Sequence, residues 1–133
     1  MKHEGSLETL LRNSSNDYVQ VTPDLLLVLV DVLPELTGSL IAALQSEGIS
    51  GHAEELTSAV IERWTYDNSV HAGYIYLRQK QPIHHGECSV AKTVTFASPE
   101  WFNVDFRSNG QILGIELLSE TSTFEHLAMI SSA

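Results

Sequence analysis

FNVDFRSNGQILGIEL, residues 102–117, places two alternating apolar segments on either side of Asn109-Gly110. Asn-Gly readily takes the positive φ angles of a type I′ turn, whose twist matches that of paired strands, so the stretch predicts a β-hairpin with a two-residue loop. The register that follows sets Ser108 opposite Gln111, Arg107 opposite Ile112, Phe106 opposite Leu113, Asp105 opposite Gly114, Val104 opposite Ile115, Asn103 opposite Glu116 and Phe102 opposite Leu117. Side chains alternate between the two faces of a strand. One face therefore collects Phe102, Val104, Phe106, Leu113, Ile115 and Leu117, and the other carries Asn103, Asp105, Arg107, Glu116 and the lone apolar Ile112. A sheet that is oily on one side only needs a cover on that side.

Working outward, two more segments show a period of two. Ile75 and Leu77 alternate with Tyr74, Tyr76 and Arg78, and Val94 and Phe96 alternate with Thr93 and Thr95. Between them, residues 79–89 are polar, include Pro82 and Gly86, and read as a loop. The first half is helical in character. Ser6 is placed to cap a short helix in which Leu7, Leu10 and Leu11 share a face. Thr22-Pro23-Asp24 combines a cap, a first-turn proline and an early acid, and so predicts a helix entry. The helix that follows, Leu25 to Leu33, is apolar on nearly every side and is expected to be covered all round. Pro34 stops or kinks it. A further helix is expected from Glu35 to Glu47, closed by Gly48. Ser50-Gly51 opens another, with Leu56, Ala59, Val60 and Trp64 at helical spacing. The expected fold class is α+β: one domain over residues 1–133, with N-terminal helices on one face of a roughly four-stranded antiparallel meander. Residues 1–64 are its helical extension, 65–120 its meander and 121–133 a tail.

Size and charge narrow the classes. A chain of 133 residues with 43% hydrophobic and 18% charged residues can bury one core. Seven Lys and Arg against seventeen Asp and Glu give a formal charge of −10, and residues 1–65 hold ten of those acids against three basic residues. Direct binding to nucleic acid phosphates is disfavoured. A basic protein partner is compatible, although high negative charge also serves solubility. Asp31, Pro34, Glu35 and Gly38 interrupt the apolar run from Leu25 to Leu44, so no membrane span is expected. The lone Cys88 and the absence of a signal-like opening make a cytoplasmic setting the expectation.

Three segments resemble, in order, the small bacterial family catalogued as domain of unknown function 2283. YDNSVHAGYIYL is similar to its opening Tyr-Asp segment and first strand, VAKTV to its middle strand, and FNVDFRSNGQILGIELLSE to its closing hairpin with a Gly-Ile-Glu signature. The likeness is carried by Tyr66, Asp67, Ala72, Tyr74, Ile75, Leu77, Thr93, Asp105, Gly110, Gly114, Ile115 and Glu116. It covers roughly residues 65–120; the helical half lies outside it, and the loop with His84 and His85 is longer than the family's. The resemblance implies a small sheet protein. Because some members are encoded beside predicted small toxins, it also implies an antitoxin-like role in protein binding. It supplies no catalytic residues.

Two groups of side chains are candidate sites. His84, His85 and Cys88 are zinc-type ligands, but zinc takes three or four protein ligands, so a site there would need His71, Glu87 or a second subunit. An ordinary polar loop explains the same residues. The polar sheet face gathers Tyr74, Tyr76, Asn103, Asp105 and Glu116, with Gly114 opposite Asp105 leaving room for close approach. Paired carboxylates could do acid-base work if burial raised one pKa, whereas tyrosines on one strand suit binding or dimerisation. No nucleophile elbow or phosphate cradle is present. The sequence therefore points to a non-enzymatic protein-binding module without a cofactor, in antitoxin-like or inhibitor form, acting on a basic partner. The alternatives are a small metal- or carboxylate-dependent enzyme and a structural homodimer joined through Leu25–Leu33.

Overall fold

The hairpin forms, but with a loop one residue longer than its alternation predicts and a bulge that compensates for it. In the computed structural model, which describes residues 7–14, 16–49, 51–79, 90–96 and 101–132, strands β5 (Phe102–Phe106) and β6 (Ile112–Leu118) pair antiparallel. Phe102↔Leu117, Asn103↔Glu116, Val104↔Ile115 and Asp105↔Gly114 follow the expected register. The next pair is Phe106↔Ile112, and Leu113 is left over as a bulge. The loop has three residues instead of two: Arg107 N donates to Gln111 O at 2.8 Å, Gly110 N donates to Arg107 O at 2.9 Å, and Gly110 takes φ +88°. A turn closed by a left-handed glycine draws Ser108 from the β5 side into the loop, and the one-residue bulge at Leu113 balances it on the β6 side, so the pairs beyond keep the expected register. Because one step of register exchanges the faces, Ile112 enters the core and Leu113 is only half-buried, the reverse of the expectation.

Among the described residues six antiparallel strands form the sheet, where about four were expected. The order is β1-β2-β3-β6-β5-β4, with β1 Tyr18–Val21, β2 Ile61–Asp67, β3 Ala72–Leu77 and β4 Lys92–Phe96. The topology is not one continuous meander. β1-β2-β3 and β4-β5-β6 are two three-stranded meanders, and β3 pairs with β6 instead of with its successor β4. The next strand in the chain after β3, β4, lies at the far edge of the sheet, which makes the strand order Greek-key-like.

Strand β2 replaces the second half of an expected helix. α4 covers only Ala53–Thr57, and Trp64 belongs to β2, where Trp64 and Tyr66 point into the core. The helical spacing of Leu56, Ala59, Val60 and Trp64 spans two elements, Leu56 being buried from α4 and Trp64 from β2, and a register shift between Ile61 and Arg63 keeps Ile61 and Trp64, three residues apart, both in the core. Thr22-Pro23-Asp24 likewise opens no helix. The chain stays extended through Val28, which bridges to Val60, while Leu29 N donates to Ala59 O at 2.9 Å and Ile61 N donates to Leu27 O at 2.8 Å. Only Leu29–Val32 coil, as α2. The expectation of a helix covered all round fails: Leu27, Leu29 and Leu33 are buried, but Leu26 is 66% exposed and Leu25 is exposed as well. Pro34 starts α3 (Pro34–Ser46) at its first turn, where its missing N–H costs nothing. Gly48, at φ +76°, closes it, with Ile49 N donating to Leu44 O at 2.9 Å.

The apolar face is roofed by α2, α3 and α4, together with α5 (Thr121–Ile130), a helix where residues 121–133 were expected as a tail. Its ring of Phe124 lies 5.3 Å from Tyr66 and 5.9 Å from Trp64 between centroids. It fills the space over Gly73, where a Cβ would run into the ring. Buried polar groups fix the helix in place: Trp64 Nε1 donates to Ser131 Oγ at 2.9 Å, and Tyr66 OH is hydrogen-bonded to Thr121 Oγ1 at 2.9 Å. α1 (Leu7–Arg12) packs beside α5 with Leu7 buried.

Candidate functional site

The other face of the sheet carries no helix among the described residues. Pairing aligns its side chains in three rows. The middle row runs Gln20, Thr65, Tyr74, Glu116, Asn103, Thr95 across all six strands. The row on one side runs Arg63, Tyr76, Gly114, Asp105, Thr93. On the other side lie Tyr18, Asp67, Ala72 and Leu118, with Trp101 at the end, where Leu118 N donates to Trp101 O at 3.2 Å. All five residues expected on the polar face are therefore brought together.

They hold one another. Tyr74 OH donates to Asp105 Oδ2 at 2.6 Å, Thr93 Oγ1 donates to Asp105 Oδ1 at 2.6 Å, and Asn103 Nδ2 donates to Glu116 Oε1 at 2.7 Å. Tyr74 and Tyr76 are a tilted pair with centroids 4.5 Å apart, and the Arg63 guanidinium sits 3.8 Å from the centre of the Tyr76 ring. The room that Gly114 was expected to leave for a ligand is taken by the Tyr74 ring, and this is what lets Tyr74 reach Asp105 across β6. Partial burial, then the hydrogen bond and charge of Asp105, push the Tyr74 hydroxyl well above the ordinary tyrosine range. Asp67 is held below the usual carboxylate range by the Ser69 hydroxyl, which donates at 2.6 Å, and by the Ser69 backbone N–H. Among the described residues one acceptor is left over: Asn103 Oδ1 is buried without a hydrogen-bond partner.

Arg107, expected on this face, is instead 2% exposed at the hairpin's end, where Nη1 donates to Gln79 Oε1 at 2.6 Å and to Gln111 Oε1 at 2.9 Å. Beside it, Glu55 of α4 accepts from Ile112 N at 2.8 Å through Oε2, and its Oε1 lies 2.7 Å from His52 Nδ1. This arrangement seats α4 on the hairpin next to the bulge, where ladder bonding is interrupted. No sequence pattern pairs Glu55 with Ile112, whose link spans 57 positions. Trp101 is the functional candidate that sequence reasoning passed over. It is 52% exposed, and its place two residues before Asn103 on the same strand direction was the available signal.

His84, His85, Cys88 and Glu87 lie outside the described residues. Among the described residues, no three of His, Cys, Asp and Glu are grouped to hold a metal ion. Two clefts of about 470 and 490 Å³ open in the helical layer: one is lined by Leu7, Arg12, Asp17 and Glu125, the other by Pro34, Glu35, Glu120 and His126. No helix among the described residues is long and apolar enough to cross a membrane. Comparison of the chain with family models, curated proteins and solved structures finds no match.

Proposed function

We propose that the chain is a non-enzymatic protein-binding module whose open sheet face docks a basic protein partner, in the manner of an antitoxin or inhibitor. The observation that supports this best is the state of that face. It lacks a helical cover among the described residues, carries Tyr18, Tyr74, Tyr76 and Trp101 among polar groups, and has its central side chains already fixed by mutual hydrogen bonds. Aromatic side chains held in place give large contact area at small entropic cost on binding. Asp67, Asp105 and Glu116 outnumber Arg63 on the face, and the chain carries a formal charge of −10, which favours encounter with a basic partner. The resemblance of residues 65–120 to domain of unknown function 2283 belongs to the same proposal, as does a cytoplasmic setting. A carboxylate-dependent enzyme is a poorer fit: both oxygens of Asp105 are engaged by Tyr74 and Thr93, and Glu116 is tied to Asn103.

The test is to isolate the tagged chain with its bound protein from its native cells and compare surface variants. Trp101→Ala with Glu116→Arg should release a basic partner, whereas Met129→Ser on α5 should retain it. Retention by the double variant would overturn the docking face. A second reading, the homodimer, draws on a separate patch: Leu25 and Leu26 are exposed and Met129 is 71% exposed, and Asp24 N donates to Ser131 O at 2.7 Å, joining the two segments. Light scattering before and after Leu26→Glu tests it, and a monomer in both samples removes it.

A further inference from the structure

We infer that the centre of the open face is a receptor for an arginine side chain presented by the partner, with Glu116 gripping the guanidinium; this rests on the docking reading above. Four observations converge on that group. First, Glu116 stands between Tyr74 and Asn103 in the middle row, and its one hydrogen bond among the described residues comes from Asn103 Nδ2. Second, the neighbouring Asn103 Oδ1 is a buried acceptor with no donor among the described residues, a state that ordinarily costs free energy until a donor is supplied. Third, aromatic surface flanks the pair, from Tyr74 on one side and from the exposed Trp101, which immediately precedes the strand of Asn103. Fourth, the same face already stacks a guanidinium on a tyrosine ring, since Arg63 lies 3.8 Å from the centre of Tyr76 in the adjoining row.

The exchange is chemically simple. An incoming guanidinium displaces the neutral Asn103 amide from Glu116 and makes two parallel N–H···O bonds to the carboxylate, which are charge-assisted and stronger than the bond they replace. The released Asn103 amide turns about its terminal bond, and Oδ1 accepts from a further N–H of the same guanidinium, which carries five donors. Asp105 is not the receptor, because Tyr74 and Thr93 occupy its two oxygens. Arginine is favoured over lysine because its planar fork matches a carboxylate and stacks on aromatic faces, whereas an ammonium is a strongly hydrated point charge.

End-blocked tri-arginine and tri-lysine peptides are the probes, titrated at low salt into the nitrogen-15-labelled chain. Tri-arginine should move the Trp101 indole N–H and the Asn103 side-chain amide, and should bind on the order of tenfold more tightly than tri-lysine, a difference of about 1.4 kcal/mol. Glu116→Gln, which keeps an acceptor for Asn103, should abolish that preference while leaving the rest of the amide spectrum in place, and Trp101→Ala should weaken both peptides. Equal binding of the two peptides, shifts confined to α3 and α4, or an unchanged preference in Glu116→Gln would overturn the receptor. If those results appear while Trp101→Ala with Glu116→Arg still releases the native partner, the arginine receptor falls and the docking face stands. If the partner is also retained, both fall.

Discussion

Two aromatic rings each fill the space over a glycine of the central strands, on opposite faces of one sheet. Phe124 covers Gly73 and Tyr74 covers Gly114. Phe124 arrives from α5, brings Leu127 and Ala128 with it and closes a core that includes the fully buried Trp64, Tyr66 and Ile75. Tyr74 arrives from the sheet itself and brings no roof. Its hydroxyl reaches Asp105, and among the described residues no helix covers the face around it, while its side chains are already placed. The same glycine-and-ring device thus serves stability on one side and a pre-ordered surface on the other.

Breaking the covered side should cost most. Phe124→Ala empties the space over Gly73 and is expected to lower stability by about 3–5 kcal/mol, read by urea unfolding. A loss under about 1 kcal/mol would mean that α5 is not part of the core. Gly73→Ala drives a methyl into the Phe124 ring and should cost about 1–3 kcal/mol, with part of it recovered when combined with Phe124→Leu. Gly114→Ala should cost a similar amount for a different reason, because its methyl meets both Tyr74 and the backbone oxygen of Ile75.

Tyr74→Phe sharpens the comparison from the open side. Losing a half-exposed hydrogen bond to Asp105 should cost only about 1 kcal/mol at neutral pH. The sign of its pH dependence is opposite to that of a salt-bridged acid. Because the folded state raises the Tyr74 pKa, its contribution is complete below the unfolded value of about 10 and is lost as pH climbs beyond it. The stability difference between wild type and Tyr74→Phe should therefore shrink above that pH in parallel urea series, and a constant difference would contradict the assignment. The smallest effect is expected for Thr95→Val, at the exposed end of the middle row, within about 0.5 kcal/mol.

The two faces were not equally legible in the sequence. Alternation alone placed Val104 and Ile115 inward, with Asn103, Asp105 and Glu116 outward, and the polar face of β3 followed from Tyr74 and Tyr76. Alternation fails wherever a bulge inserts a residue. The leftover Leu113 exchanges faces with Ile112, and the shift between Ile61 and Arg63 keeps Ile61 and Trp64, three residues apart, both in the core. Leu25 to Leu33 has the composition of a buried helix, but long-range pairing of Leu27 and Val28 with residues 59–61 outweighs local propensity. The link from Glu55 to Ile112 and the return of β6 to β3 are equally non-local, and no window of sequence contains both partners.

The chain's two tryptophans offer the most direct check of the two-faced sheet, since Trp64 is 0% exposed beneath α5 and Trp101 is 52% exposed on the open side. Acrylamide quenching of Trp101→Phe leaves Trp64 as the sole indole emitter. Blue-shifted emission that resists the quencher until the protein unfolds is expected. Red-shifted emission quenched as readily as a free indole would show that the supposedly roofed face is open to water.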